Sequence, residues 1–223
     1  MQVSVIIPTL NEATALPDLL NRLASLRGAA NEIIVVDGGS SDGTPQLAHG
    51  LADKVLETAP GRAMQMNAGA AVAGGDMLWF VHADTLPTGQ ALDVMQSLQA
   101  QAEFWGRFDV SISGRSGWLP IVAFFMNQRS RLSGIATGDQ GMFVHRRLFE
   151  AVGGFPAQPL MEDIALSKIL RRRAAPHCRR ERLETSGRRW EQRGVWRTIL
   201  LMWRLRLAYF LGADPAQLAA RYR

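Results

Sequence analysis

The sequence predicts an α/β protein with a mostly parallel central sheet flanked by helices. Three observations carry that expectation. The runs Val3–Pro8, Glu32–Asp37 and Leu78–Thr85 are apolar, and each stops at a polar tip, as buried parallel strands do. Helix-like segments separate these runs, which implies right-handed crossovers between parallel strands. The chain has 223 residues, 47% of them hydrophobic, enough for one full core. No internal repeat, low-complexity stretch or linker interrupts residues 1–223, so they read as one domain.

Val3 to Pro8 is a β-branched run closed by proline, the first buried strand. Thr9-Leu10-Asn11-Glu12 follows as a loop. Thr14 or Asn11 is the expected cap of a helix reaching Leu26, with Leu16, Leu19, Leu20 and Leu23 on one face and Arg27-Gly28 at its end. Glu32 to Asp37 is the second strand, and the stretch from Asp37 to Thr44 is a turn rich in Gly, Ser and Asp. A helix over Pro45–Ala52, a short strand over Lys54–Glu57 and a small-residue helix from Gly61 to Ala73 lead into Leu78–Thr85. Beyond it, Gln90–Gln101 reads as a helix and Trp105–Ile112 as an alternating strand. Trp118–Met126 is an apolar helix or surface segment, Met142–Val144 a short strand and Arg146–Val152 a helical turn. Met161–Arg171 is a helix, Arg179–Thr185 a strand and Gly194–Leu211 a strongly apolar helix carrying Arg.

Composition narrows the function. The single cysteine, Cys178, excludes an internal disulfide framework and a cysteine-based zinc site. The net charge is +5, and basic residues dominate from Arg171 to Arg206, which suits phosphates, anionic lipid or nucleic acid as partners. These Arg are not interleaved with the stacking platform of the usual nucleic-acid modules, so no nucleic-acid partner is expected. The N-terminus lacks a basic lead and a cleavage site, and no apolar span is long enough to cross a bilayer, which predicts a cytoplasmic protein.

Ligands of open α/β folds collect at the carboxyl ends of the strands. The Pro8–Glu12 loop, Asp37 and Asp84 all lie at such ends, so the fold brings them to one rim. There is no G-x-x-x-x-G-K, no correctly placed G-x-G-x-x-G and no G-x-S-x-G elbow, and the four His show no metal-ligand spacing. Rim carboxylates with Arg suit a diphosphate-bearing substrate held by a hard divalent cation, Mn²⁺ or Mg²⁺.

In this order and spacing, residues 3–12 (VSVIIPTLNE), 33–44 (IIVVDGGSSDGT), 61–69 (GRAMQMNAG), 80–84 (FVHAD) and 161–163 (MED) resemble the GT-A glycosyltransferases of family 2. The similarity is nearest to small bacterial transferase-like proteins associated with radical-SAM and selenium-domain proteins. The resemblance implies a GT-A, nucleotide-diphospho-sugar transferase fold. Residues 1–90 would be its nucleotide-binding half, 91–195 its acceptor half and 196–223 a C-terminal apolar and basic helix. It also implies an inverting, metal-assisted, non-processive transfer of sugar from a nucleotide-diphosphate donor to an acceptor hydroxyl.

Carried over by position, the Pro8-Thr9 backbone, Glu12 and Asp37 would hold the base and ribose. The bland alternatives are a helix-start carboxylate for Glu12 and a turn residue for Asp37. Arg62 would reach a phosphate or the base, or is a solvated loop residue. Asn67 and Gly69 are expected to be packing positions beside the site. Asp84 matches the last residue of the family's Asp-x-Asp and would bind the metal, with Ala83 beside it. His82 stands where the first Asp is expected; a neutral imidazole still hydrogen-bonds a ribose hydroxyl. Asp163 would be the general base and Glu162 would orient it or contact the acceptor, unless the pair only stabilises a helix start. Gly138, Asp139 and Gln140 would contact the donor sugar or acceptor, or form a simple turn. Ser186-Gly187-Arg188-Arg189-Trp190 is reminiscent of the Gln-x-x-Arg-Trp of polymerising relatives. Ser186 replaces Gln, so processivity is not supported, while Arg188 or Arg189 would neutralise the leaving diphosphate or belong to a solvated basic loop.

Trp196, Ile199, Leu200, Trp203, Leu207 and Phe210 share a helix face with Arg197, Arg204 and Arg206 around it. That is a core helix with marginal Arg, or a helix lying on anionic lipid at the inner face of the membrane. Trp118–Phe125 would join it in a groove for a lipid-linked acceptor. Two other functions stay open. One is a nucleotide-binding GT-A-like protein with lost or altered catalysis. The other is a nucleotidyltransferase, which would need a basic, glycine-rich loop after the first strand, where this chain has the acidic Pro8–Glu12.

Overall fold

The computed structural model describes residues 1–26, 31–97 and 104–222. Strands β1 (Val3–Thr9), β2 (Glu32–Asp37), β3 (Lys54–Glu57) and β4 (Met77–Phe80) pair in parallel in the order β3-β2-β1-β4. Helices α1 (Leu16–Leu23), α2 (Thr44–Ala48) and α3 (Arg62–Val72) connect them. All seven residues of β1 are buried, because helices cover both faces of the sheet. Val3, Val5 and Ile7 enter the core under the four leucines of α1, while Ile6 points to the opposite core with Ile34, Val36 and Met66.

Neither Asn11 nor Thr14 caps α1. Its N-cap is Ala15, without a side-chain bond. Asn11 takes a left-handed φ of 56° instead, and its Oδ1 accepts the Ser41 N–H at 2.9 Å, so its amide joins two loops rather than starting a helix. The expected helix end at Arg27-Gly28 lies outside the described residues. The helix expected over Pro45–Ala52 stops at Ala48, just before Gly50.

The run Leu78–Thr85 divides in two. β4 ends at Phe80, and a turn closed by the Thr85 N–H on the His82 carbonyl at 3.0 Å carries the chain to β5 (Thr85–Pro87) at the far edge of the sheet. Then follow α4 (Gly89–Ser97), β6 (Trp105–Ser113), α5 (Leu119–Ser133), β7 (Phe143–His145), α6 (Arg146–Ala151), α7 (Glu162–Leu170), β8 (His177–Ser186), α8 (Arg188–Arg193), α9 (Val195–Phe210) and α10 (Pro215–Tyr222). The stretch expected to extend α4 to Gln101 runs outside the described residues. The eight strands order as β3-β2-β1-β4-β7-β6-β8-β5, with β7 antiparallel to both β4 and β6, β8 parallel to β6 and β5 antiparallel to β8.

Side chains of α3 fix the rim where β1 and β2 end. Gln65, buried, donates its amide to the Thr9 carbonyl at 2.7 Å and the Val36 carbonyl at 2.8 Å. Gly69 brings the helix against Ile6 and Val36, where a Cβ would overlap Ile6 and crowd Val36. Asn67 bonds both backbone groups of Phe155, its Nδ2 donating at 2.8 Å and its Oδ1 accepting at 2.9 Å. Gln65→Leu removes two buried hydrogen bonds from carbonyls that keep the Gly38 N–H and the Thr9 hydroxyl as their other donors. At about 0.5–1.5 kcal/mol per bond it should cost about 1–3 kcal/mol of stability, measured by urea unfolding.

Candidate active site

Three segments of the rim come from the ends of β1, β2 and β4. Asp37, at the end of β2, is almost fully buried and its carboxylate is spent within the rim. Oδ1 accepts the Thr9 hydroxyl at 3.0 Å and the Ser40 hydroxyl at 2.5 Å; Oδ2 accepts the N–H groups of Gly39 at 2.9 Å and Ser40 at 2.7 Å. It therefore shapes the 37–40 loop. Thr9 is buried beside it, and Pro8 lies within β1. Glu12 stands closer to the cleft. Its N–H donates to the Thr44 hydroxyl at 2.9 Å, and its Oε2 is buried without a hydrogen bond, 3.7 Å from Arg188 Nη2. Burial and then the charge of Asp84 push the Glu12 carboxyl up, against the opposing pull of Arg188, His82 and Arg62.

The fourth segment is a single 3₁₀ turn over Gly138–Gln140. It meets the His82–Asp84 turn by close approach. A Cβ on Gly138 would overlap Cε1 and Nε2 of His82, so only glycine lets the imidazole settle there. His82 Nδ1 lies 3.4 Å from Asp139 Oδ1. Desolvation pushes the Asp139 carboxyl up, but the His82 hydrogen bond and the charges of His82, Arg62 and Arg189 outweigh it and hold Asp139 below its ordinary value. Gln140 turns inward, fully buried. Its side-chain oxygen accepts the Thr137 N–H at 3.2 Å in a capping box and its amide donates to Asn127 at 3.4 Å. Ala83 is buried under the turn, whereas Asp84 stays partly exposed.

The Glu162-Asp163 pair opens α7, directly after Met161 in a left-handed φ of 65°. Asp163 Oδ2 accepts the Gly138 N–H at 2.9 Å, and Oδ1 accepts the N–H of Ile164 at 2.7 Å. Burial pushes the Asp163 carboxyl up in spite of those two bonds, and burial with the Asp163 charge pushes Glu162 up as well. His82, Gly138, Glu162 and Asp163 line a cavity of about 10 Å³, closed on its apolar side by Met66 and Phe80. Arg62, exposed at the start of α3, is the nearby cation whose charge opposes the upward shifts of both carboxylates. Arg189 lies 4.5 Å above the Tyr222 ring. Burial, Arg62 and Arg193 push its pKa down, while Asp139 and Asp84 hold it up.

The structure thus gathers Glu12, Arg62, His82, Asp84, Gly138, Asp139, Glu162, Asp163 and Arg189 around one cleft, and turns the side chains of Asp37 and Gln140 inward. Sequence reasoning missed Arg129 on α5. Its Nε and Nη2 are buried without a hydrogen bond, and the charges of Asp163 and Asp139 support a guanidinium that burial pushes down. The signal was an Arg two positions before Arg131 in an otherwise uncharged run.

The family model of glycosyl transferase family 2 matches residues 4–153, from β1 through the Gly138 turn to the end of α6. The chain belongs to glycosyl transferase family 2. Among relatives of this family 2 chain, the beta-monoglucosyldiacylglycerol synthase of Synechocystis sp. is 26% identical over 230 residues, covering 87% of this chain and 47% of that protein. The PGL/p-HBAD biosynthesis glycosyltransferase of Mycobacterium bovis is 38% identical over 88 residues, 36% of this chain and 34% of that one. This chain therefore spans about half or less of the curated relatives it matches. Solved structures share the GT-A fold. The mannosyltransferase PcManGT of Pyrobaculum calidifontis, in complex with GDP-Man and Mn²⁺, aligns with a TM-score of 0.65 at 24% identity over 93% of this chain and 61% of its own. Glucosyl-3-phosphoglycerate synthase of Mycobacterium tuberculosis, with Mn²⁺, UDP and glucosyl-3-phosphoglycerate, aligns at 0.60 and 20% identity over 82% and 70%.

A divalent cation fits this family 2 site in one way. Among the described residues no group of three His, Cys, Asp or Glu comes together as a protein-only cage, and Asp84 makes no ion pair within 4 Å. Asp84, whose Oδ1 accepts the Thr85 hydroxyl at a long 3.5 Å, is one carboxylate that substrate phosphate oxygens could complete, which is the way Mg²⁺ is commonly held.

Glu162 gives a stability test. Its folded pKa lies above its unfolded value, so its contribution is full at acid pH and is lost as pH rises through the folded value. Glu162→Gln should therefore raise Tm at pH 7.5, by about 2–4 °C per kcal/mol of relieved charge burial, and the gain should vanish below pH ~4.

Proposed function

We propose that this chain is an inverting, metal-assisted glycosyltransferase that moves a sugar from a nucleotide-diphosphate donor to an acceptor hydroxyl. The observation that carries the proposal is Asp163. It is held by two backbone N–H groups, pushed up by burial, and faces a cavity shared with His82 and Glu162. A carboxylate of raised pKa is a stronger base than one in water.

The acceptor hydroxyl gives its proton to Asp163 while its oxygen forms the new bond to the anomeric carbon. The bond from that carbon to the diphosphate oxygen breaks on the opposite face, and its electron pair leaves with the diphosphate. A cation bound at Asp84 would neutralise charge building on the diphosphate. Arg62 and Arg189 carry the positive charge of the cleft and supply the same stabilisation from the protein. His82, steadied by Asp139, is positioned to hydrogen-bond a donor hydroxyl. The Pro8-Thr9 backbone, Glu12 and the loop shaped by Asp37 hold the base and ribose.

The acceptor hydroxyl is carried on a lipid in this reading, and the reaction runs at the cytoplasmic face of a membrane. The relative from Synechocystis is named for a glucosyldiacylglycerol, and here α9 presents an exposed apolar surface. The imidazole in place of a first carboxylate favours a second reading, a nucleotide binder without transfer.

A donor screen by mass spectrometry, with hydrolysis as a second readout, tests the proposal. Asp163→Asn should lower kcat by about 10²–10⁴-fold with donor binding retained. Asp84→Asn should remove the Mn²⁺-dependent part of UDP or GDP binding, read by calorimetry. Full activity in both variants overturns the proposal, and nucleotide binding without any product from any donor supports the second reading. Because the Asp163 pKa is raised, kcat should fall on the acid side at a pH above the ordinary range of Asp.

A further inference from the structure

Helices α5 and α9 each turn an apolar stripe to solvent. On α9 the stripe is Trp196, Leu200, Trp203, Leu207 and Phe210, spaced four, three, four and three residues apart, which is one line along a helix. Trp203 is 70% and Phe210 76% exposed. The opposite side of the same helix is satisfied: Thr198 and Leu205 are buried, and Leu205 packs with Leu160, Met161 and Ile164. On α5 the outer residues are Trp118 at the N-cap, Ile121, Phe124, Phe125 and, one helix length on, Leu132, which is 88% exposed. The two stripes are one surface, because the rings of Trp118 and Trp196 meet edge to face at 4.9 Å. Contiguous apolar exposure on this scale marks an interaction surface.

Charge indicates what covers it. Neither helix contains an Asp or Glu, and α9 carries Arg197, Arg204 and Arg206; the two Arg of α5 are spent inside the fold, Arg131 on Asp109 and Arg129 buried beside Asp163 and Asp139. Arg197 and Arg204 are exposed, each one position past a member of the α9 stripe. A second copy seated face to face on this surface would bring those guanidinium groups against their own images, which opposes a symmetric dimer. Tryptophans beside an apolar stripe with basic flanks match the boundary of an anionic bilayer, where rings enter the acyl edge and Arg reaches the headgroups. Among the described residues no helix is long and apolar enough to cross a membrane, so contact is along the surface.

We propose that α5 and α9 together form a seat on which the protein lies on an anionic lipid bilayer. This deepens the lipid-acceptor reading above and rests on it only for its purpose, since the seat is a property of the surface. Ile164, next to Asp163, packs on the buried side of α9. The helix that carries the proposed base thus packs directly against the lipid-facing helix. A hydroxyl on a lipid headgroup would meet the cleft without leaving the interface.

Vesicle co-flotation tests the seat without donor or acceptor. The chain should float with phosphatidylcholine vesicles containing phosphatidylglycerol, and less with phosphatidylcholine alone. Trp203→Ser with Phe125→Ser, both exposed and neither among the residues gathered round the cleft, should abolish flotation with Tm unchanged. Arg197→Gln and Arg204→Gln should each lower partitioning by about fivefold on the anionic vesicles only. Absence of flotation on both vesicle types overturns the proposal. So does light scattering that shows a dimer which the Trp203→Ser, Phe125→Ser variant dissolves. Flotation with no sugar transfer from any donor would leave the seat standing and sink the transferase reading instead.

Discussion

The candidate site hangs on the junction at Gly138. Its N–H holds Asp163 Oδ2 at 2.9 Å, and its missing side chain makes room for the His82 ring. Asp139, the next residue, is the partner of His82. Three elements that are distant in sequence, the end of β4, the turn before β7 and the start of α7, are locked together by one glycine. Any side chain there would displace the imidazole or the turn, and with the turn would go the bond that orients Asp163. Buried carboxylates next to this junction keep raised pKa values because the hydrogen bonds they receive only partly offset their loss of water.

The cleft has a consistent electrostatic layout. Glu12, Asp84, Asp139, Glu162 and Asp163 bring negative charge, and Arg62 and Arg189 recur as the cations acting on them. The Arg188 contact to Glu12 ties α8, a C-terminal element, to the loop after β1. On the proposed reading, a diphosphate entering the cleft would compete with these carboxylates for the same guanidinium groups. Arg189 stacks on Tyr222 of α10, so the last helix also helps to place a cation of the cleft.

The parallel half of the fold was legible because β1, β2 and β4 are buried on both faces and read as unbroken apolar runs. The antiparallel insertion of β7 between β4 and β6 was not, since three residues carry no periodicity. β5 was hidden for the same reason, fused in sequence to the end of β4. Motif positions pointed to Asp84, Asp139 and Asp163, and the fold brings these three to one cleft. What pattern could not show was direction. Asp37 and Gln140 read as rim residues, yet their side chains are spent on the backbone groups that shape the loops. Arg129 showed in sequence only as an Arg in an uncharged run, because its role comes from tertiary burial, and α8 and α10 did not show because short helices need packing partners to form. The stripe of α9 was legible as apolar spacing; whether it faced core or solvent was decided only by the packing of Leu205 on the other side.

The central claim is that Asp163 serves a single in-line displacement. The anomeric configuration of the product, read by proton NMR coupling at the new glycosidic bond, tests it most directly. From an α-linked nucleotide sugar the account predicts a β-linked product as it first forms. An α-linked product would contradict it, because retention requires a second displacement or same-face attack that a lone base at Asp163 does not provide.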